Sequence, residues 1–75
     1  MKLVKIVWID AIGQDGWTSI NEVEKETPVF HNSVGYLVKE TEGFVTITMS
    51  YSDDIDNLGA WVVIPKVMIV NFTEI

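Results

Sequence analysis

Three aspartates and an asparagine near the end of the chain are the residues whose types and spacing best suit a cation site. Asp53, Asp54, Asp56 and Asn57 place carboxylate and amide oxygens close together, and calcium prefers such oxygens. Aligned from Asp54, however, the last position of an EF-hand loop falls on Pro65, where a bidentate glutamate is required. We therefore expect no metal ion or other cofactor and interpret this acidic segment as a solvated turn, with a hard-cation site at Asp53, Asp54 and Asp56 as the alternative.

Three other residues are candidates for binding a ligand. Trp17 follows a glycine in a polar stretch, where its indole can stack on a flat ligand or pack against the core or another subunit. His31 can act as a general base, but a catalytic triad needs three groups in a defined geometry, so we interpret it as a loop or interface histidine. Lys66 can attract an anionic group as a point charge. No catalytic residue is predicted, and the chain is not expected to be an enzyme.

The composition restricts the class of protein. The 75 residues suffice for one domain, residues 1–75, with no cysteine to form a disulfide. The net charge is −6 and none of the five basic residues is an arginine, which argues against nucleic acid as a partner. No apolar segment approaches the roughly 20 residues of a membrane span, and no secretory pattern is present, so a cytoplasmic location is expected.

The first predicted strand, residues 3–10, is apolar on both faces. Its alternate residues form two rows, Val4, Ile6 and Trp8 on one face and Leu3, Val7 and Ile9 on the other. A strand with two apolar faces must be covered on both sides. So short a chain has few residues left to cover the second apolar face of this strand. We therefore expect a homo-oligomer whose interface includes Leu3, Val7 and Ile9.

The middle of the chain predicts a short helix and a hairpin. The spacing from Ser19 to a glutamate three residues later is that of a capping box, which favours a helix over residues 20–26 that ends before Pro28. Residues 34–40 and 44–51 read as two strands joined by a short loop, in which Gly43 is expected to supply a positive φ. A glycine inside the first of these strands predicts a bulge or a sharp bend.

The end of the chain predicts two further strands, residues 60–64 and 68–75, separated by a turn at residues 65–67 that contains a proline. With Trp8 and Trp61 on predicted strands, both indoles are expected in the core. Five short strands with an early helical excursion indicate a mainly β chain. The expected fold class is a small five-stranded SH3-like or Sm-like barrel with one short helix in the loop after the first strand.

Several segments carry a resemblance to known families. Val34-Gly35-Tyr36-Leu37-Val38 and Trp61-Val62-Val63-Ile64-Pro65-Lys66 resemble the core of SH3-like and Sm-like barrels. The segment from Val7 to Ala11 and the pair Gly16-Trp17 are similar to those of short proteins encoded by bacteriophages. This resemblance implies a role inside an infected or lysogenic bacterium, in the host cytoplasm, and it supplies no activity.

The leading functional hypothesis is therefore a non-enzymatic binding module that self-associates and either sequesters a small-molecule ligand or docks a host protein. Acidic net charge favours a basic protein partner over direct binding to nucleic acid. One alternative is an Sm-like RNA-binding ring, which a local lysine patch would support. Another is a minor component of the virion or of its assembly.

Overall fold

The computed structural model describes residues 1–54 and 56–75, which form five strands, one α-helix and one 3₁₀ turn. The predicted loop between the third and fourth strands contains Ile55, which lies outside the described residues. In chain order the elements are β1 (Leu3–Asp10), α1 (Ile20–Val23), β2 (Val29–Glu40), β3 (Phe44–Tyr51), β4 (Leu58–Pro65), the 3₁₀ turn (Lys66–Met68) and β5 (Ile69–Glu74).

All five strands belong to one antiparallel sheet with the order β4-β3-β2-β1-β5. The chain therefore is mainly β, as the sequence predicts. β4 and β5 form the two edges, and within the described residues no ladder joins them. Closure of the sheet into a barrel, which the sequence led us to expect, is not confirmed, because the last strand pairs with β1 instead of returning to β4.

The core is small and lies on one face of the curved sheet. Its fully buried apolar residues come from β1, β3 and β4, and they are Val4, Ile6, Val45, Ile47 and Ile64. The β1 row that contains Val4 and Ile6 thus faces the core. The predicted alternation of β3 is confirmed for Val45 and Ile47, which both lie in the core. Partly buried side chains surround this cluster, namely Trp8, Leu37, Val62 and Ile69. Trp61, in contrast, is 64% exposed, so its predicted place in the core is wrong.

Two glycine predictions have different outcomes. Gly35 is buried, and a Cβ atom there would lie 2.8 Å from the carbonyl oxygen of Thr48, so the strands approach closely at this point. The register shift of β2 lies further along, between Leu37 and Lys39. The positive φ expected at Gly43 is wrong. The loop instead depends on Thr41, whose Oγ1 accepts hydrogen bonds from the amides of Gly43 and of the next residue, each at 3.1 Å.

The excursion between β1 and β2 contains the predicted helix in a shorter form. Ser19 is its N-cap, and the Ser19 Oγ accepts a hydrogen bond from the amide of Glu22 at 3.3 Å. The helix ends at Val23, three residues earlier than predicted, because none of its residues is buried and nothing packs against it to extend it. β2 then begins at Val29, five residues before the predicted start, because residues 29–33 pair with β1.

The turn predicted around Pro65 is confirmed. Pro65 ends β4, and the 3₁₀ turn that follows is fixed by a hydrogen bond from the Lys66 amide to the Gly43 carbonyl at 2.9 Å. This bond ties the end of β4 to the loop between β2 and β3. None of the helices that the structure describes is long and apolar enough to cross a membrane.

Candidate functional site

An apolar groove opens where β2 and β3 separate. β2 pairs with β1 along residues 29–36, but its pairing with β3 is confined to residues 36–40, while the second half of β3 pairs with β4. The first half of β2 and the second half of β3 therefore diverge. The space between them has a volume of about 370 Å³, and its lining includes Ser33, Val34, Ile47, Met49, Trp61 and Val62. We call it the apolar groove.

The rim of the apolar groove exposes large side chains. Met49 is 71% exposed and Trp61 is 64% exposed, although both lie on strands. Trp61 follows Ala60, whose φ of 51° is in the left-handed region, and it stands opposite Thr48 on the face away from the core. None of the residues that line the apolar groove is charged. The arrangement suits an apolar or aromatic occupant better than an ionic one.

A polar cluster lies beside the apolar groove and includes the predicted ligand residue His31. The His31 ring stacks on Trp8 with centroids 4.7 Å apart, and its Nε2 is 3.6 Å from an oxygen of Asp10. The Trp8 indole N–H donates to the Ser33 hydroxyl at 3.0 Å. His31 is thus a partly buried strand residue, so its predicted loop position is wrong, and the alternative of an interface histidine stays a prediction. Because the Ser33 hydroxyl accepts from the indole, the cluster has the features of a structural network.

The excursion between β1 and β2, residues 11–28, forms an exposed arm. Every residue in it is exposed, and Trp17 is fully so. Gly16 has a φ of +102° just before Trp17, a conformation that glycine adopts without strain. Ile12 and Val23 line a small cleft within the arm itself. We call residues 11–28 the arm. Within the described residues, no contact buries the Trp17 indole.

The outer face of β1 contains the predicted interface residues. Leu3, Val7 and Ile9 are each partly buried and lie on the face opposite Val4 and Ile6. Among their cross-strand neighbours on β2, Phe30 opposite Ile9 is an exposed apolar residue, whereas Val7 stands opposite Asn32. The same face also contains the exposed Lys5, which stands opposite Val34. The outer face therefore combines apolar side chains with polar and charged ones across two adjacent strands, and the expectation that another copy covers it stays a prediction.

Lys66 lies far from the other two predicted ligand residues. Its Nζ is 2.9 Å from a carboxylate oxygen of Glu40, at the last position of β2. His31 is nine positions earlier on the same strand, a separation of about 30 Å along extended backbone. Trp17 lies on the arm before β2 begins. The structure does not bring Trp17, His31 and Lys66 into one pocket.

The acidic segment does not form a cation cage in the described residues. Asp53, Asp54 and Asp56 are exposed, and Asp56 has a φ of 53°. Within residues 1–54 and 56–75, no group of three or more metal-ligating side chains is positioned to hold a metal ion. The exposure of these acids is that of a solvated turn, and the expectation that no metal ion binds here stays a prediction.

Sequence reasoning missed the apolar groove. Its residues come from the separated halves of β2 and β3 together with β4, and only the strand register brings them together. One feature of the sequence could have indicated that Met49 is exposed. Met49 continues the apolar alternation of β3, and the strand is longer than so small a core can bury.

The chain was also compared with known proteins. No protein-family model, curated protein sequence or solved structure matches it.

Proposed function

We propose that this chain is a non-enzymatic binding module that acts as a self-associated assembly, encoded by a bacteriophage and related to SH3-like or Sm-like barrels. Its role in this proposal is to sequester a small ligand or to dock a host protein. The five antiparallel strands and the 3₁₀ turn before β5 support the choice of fold relatives. The resemblance of the segments around Val34 and Trp61 supports the same choice.

The observation that carries the proposal is the excess of exposed surface. The folded chain exposes 5922 Å². A compact monomer of 8.5 kDa is expected to expose only about 4,700 Å². The difference, about 1,200 Å², is more than the ~800 Å² that each partner buries in a standard protein–protein interface. The chain therefore has enough uncovered surface for a stable contact with another molecule.

The apolar character of that surface supports association with another molecule as the reason for the excess area, and not merely an extended shape of the chain. Large apolar side chains are exposed on the arm, on the outer face of the sheet and around the apolar groove; examples are Trp17, Phe30 and Trp61. Extended apolar exposure of this kind marks protein–protein or ligand contacts. Among the residues that the structure describes, the fully buried apolar core consists of five, so association also supplements a weak core.

The cluster around His31 supports a non-enzymatic role. The Ser33 hydroxyl is bonded to the Trp8 indole N–H, and the His31 ring lies against the same indole. A nucleophile requires a hydroxyl that is free to attack and a base in hydrogen-bond contact with it. These groups instead stabilise the packing of β1 against β2.

Native mass spectrometry of the protein, purified gently from bacterial lysate, tests the proposal. An oligomer with a bound small mass supports sequestration and identifies the ligand. An oligomer without added mass supports the docking role, and a pull-down from host lysate would then identify the partner. A monomer without ligand at every concentration contradicts self-association. Binding of a labelled oligonucleotide that weakens with salt would favour an RNA-binding ring instead.

A further inference from the structure

We propose that the arm of one copy inserts Trp17 into the apolar groove of a second copy. This inference rests on the proposed function, because it requires that the chain self-associates, and it specifies which surfaces meet. It assigns a role to the two features that the fold leaves without a partner: an arm that buries nothing and a groove that nothing in the described chain fills.

The arm has the properties of a segment that is stabilised by contact with another molecule. Helix α1 has four residues and none of them is buried, although a helix this short is unstable in water without packing. Ile20 on this helix is 76% exposed and Trp17 is fully exposed three residues before it. Burial of both side chains on one surface would give α1 the tertiary contact that it lacks.

The apolar groove suits one large aromatic side chain. Its volume of about 370 Å³ is at the lower end of the ~300–1,000 Å³ typical of small-molecule sites. Val34, Met49 and Trp61 supply apolar contacts. A second indole can stack on the Trp61 indole or contact it edge to face. Asn32 at the rim provides an amide oxygen that can accept from an inserted indole N–H.

Charge allows the arm to meet this groove without repulsion. The arm contains Asp15 and three glutamates but only one lysine, so its net charge is negative on a chain that is itself acidic. Contact between two acidic surfaces would be repulsive. The lining of the apolar groove has no charged residue, so the arm can approach it without placing carboxylates against carboxylates.

The uncovered area favours a second copy as the occupant. The excess of about 1,200 Å² per chain includes both the arm and the groove, and each copy carries one of each. A two-fold pair would form the contact twice and bury complementary surfaces on both chains. The excess is therefore large enough for the ~800 Å² that each chain of a stable dimer buries.

Cross-linking between two singly substituted chains tests this contact. The native chain has no cysteine, so each variant carries one thiol. Thr18→Cys labels the arm beside Trp17, and Met49→Cys labels the groove. The matched control is Glu42→Cys, an exposed residue in the loop between β2 and β3. Mixed disulfides are resolved by mass, and each one must join two copies.

We expect the mixed disulfide between the Thr18→Cys and Met49→Cys chains to form at least about tenfold faster than the one between Thr18→Cys and Glu42→Cys chains. Equal rates would overturn the inference. So would faster closure within a single chain that carries both Thr18→Cys and Met49→Cys, because the arm would then cover its own groove.

Substitution of Trp17 gives an independent readout. Because Trp17 is fully exposed, Trp17→Ser should leave the fold intact by circular dichroism, while self-association weakens by at least about tenfold. Trp17→Phe should retain most of the association. If wild type and Trp17→Ser associate equally, the inference fails while the proposed function stands. If the wild type is monomeric throughout, both fail.

Discussion

At the scale of single residues, β2 and β3 separate beside the close approach of Gly35 to the Thr48 backbone. Tyr36 of β2 pairs with Thr48 of β3 at the last point of contact between these strands, and Gly35 lies just before it. The absence of a side chain at Gly35 lets the two backbones approach before they diverge. The glycine within a strand pattern predicts a bulge or bend, but the sequence does not predict its partner, because the strand register fixes that partner.

Gly35→Ala should destabilise the protein by about 2 kcal/mol, because the added Cβ would meet the Thr48 carbonyl oxygen at 2.8 Å and force the strands apart. Urea unfolding monitored by circular dichroism measures the change. Gly13→Ala is the matched control, since nothing lies within 4 Å of a Cβ at that position, and it should change stability by less than about 0.5 kcal/mol. Equal effects of the two substitutions would contradict the close approach at Gly35.

Thr48→Val should cost about 1–2 kcal/mol, because the buried hydroxyl lies 2.7 Å from the Gly59 carbonyl oxygen and 2.9 Å from the Ser50 carbonyl oxygen. Valine keeps the shape but leaves these carbonyls without that donor. Thr46→Val on the same strand is the control, and it should be nearly neutral because the described residues include no side-chain hydrogen bond from Thr46. A neutral Thr48→Val, measured by the same unfolding experiment, would show that the hydroxyl does not hold β3 to β4.

At the scale of elements, the strands were more predictable from the sequence than the surfaces between them. The alternation of residues 44–51 and the proline after residue 64 predicted β3 and the 3₁₀ turn, because these signals are local. The first half of β2 was missed, since its polar residues 31–33 are tolerated only because β1 pairs beside them. The sequence also did not predict the exposed position of Trp61. An indole on an edge strand has the same sequence pattern as an indole in a core.

Replacement of residues 12–26 by a short glycine–serine turn should leave the sheet folded. The arm buries none of its residues, and Asp10 already stands opposite Val29, so a tight connection can join β1 to β2. The unfolding free energy should change by less than about 1 kcal/mol, because loop length contributes only weakly to closure entropy. Self-association, measured by size-exclusion chromatography with light scattering, should be lost. An unfolded variant would show that the arm belongs to the core.

At the scale of the whole molecule, association must overcome charge repulsion. Each chain carries a net charge of −6, so two copies repel at long range. Salt at about 0.3 M reduces the screening length to well under 10 Å and should weaken this repulsion. We therefore expect the dissociation constant of the assembly to fall several-fold between low salt and about 0.3 M salt. An increase over the same range would indicate that attraction between charges, and not apolar contact, holds the copies together.

The central claim is that the exposed apolar surface of one copy is covered by another. Sedimentation velocity of the wild-type chain, over a concentration series that extends through the micromolar range, measures this most directly. We expect a species of at least twice the 8.5 kDa mass of one chain, whose population rises with concentration. A single 8.5 kDa species at every concentration would contradict it.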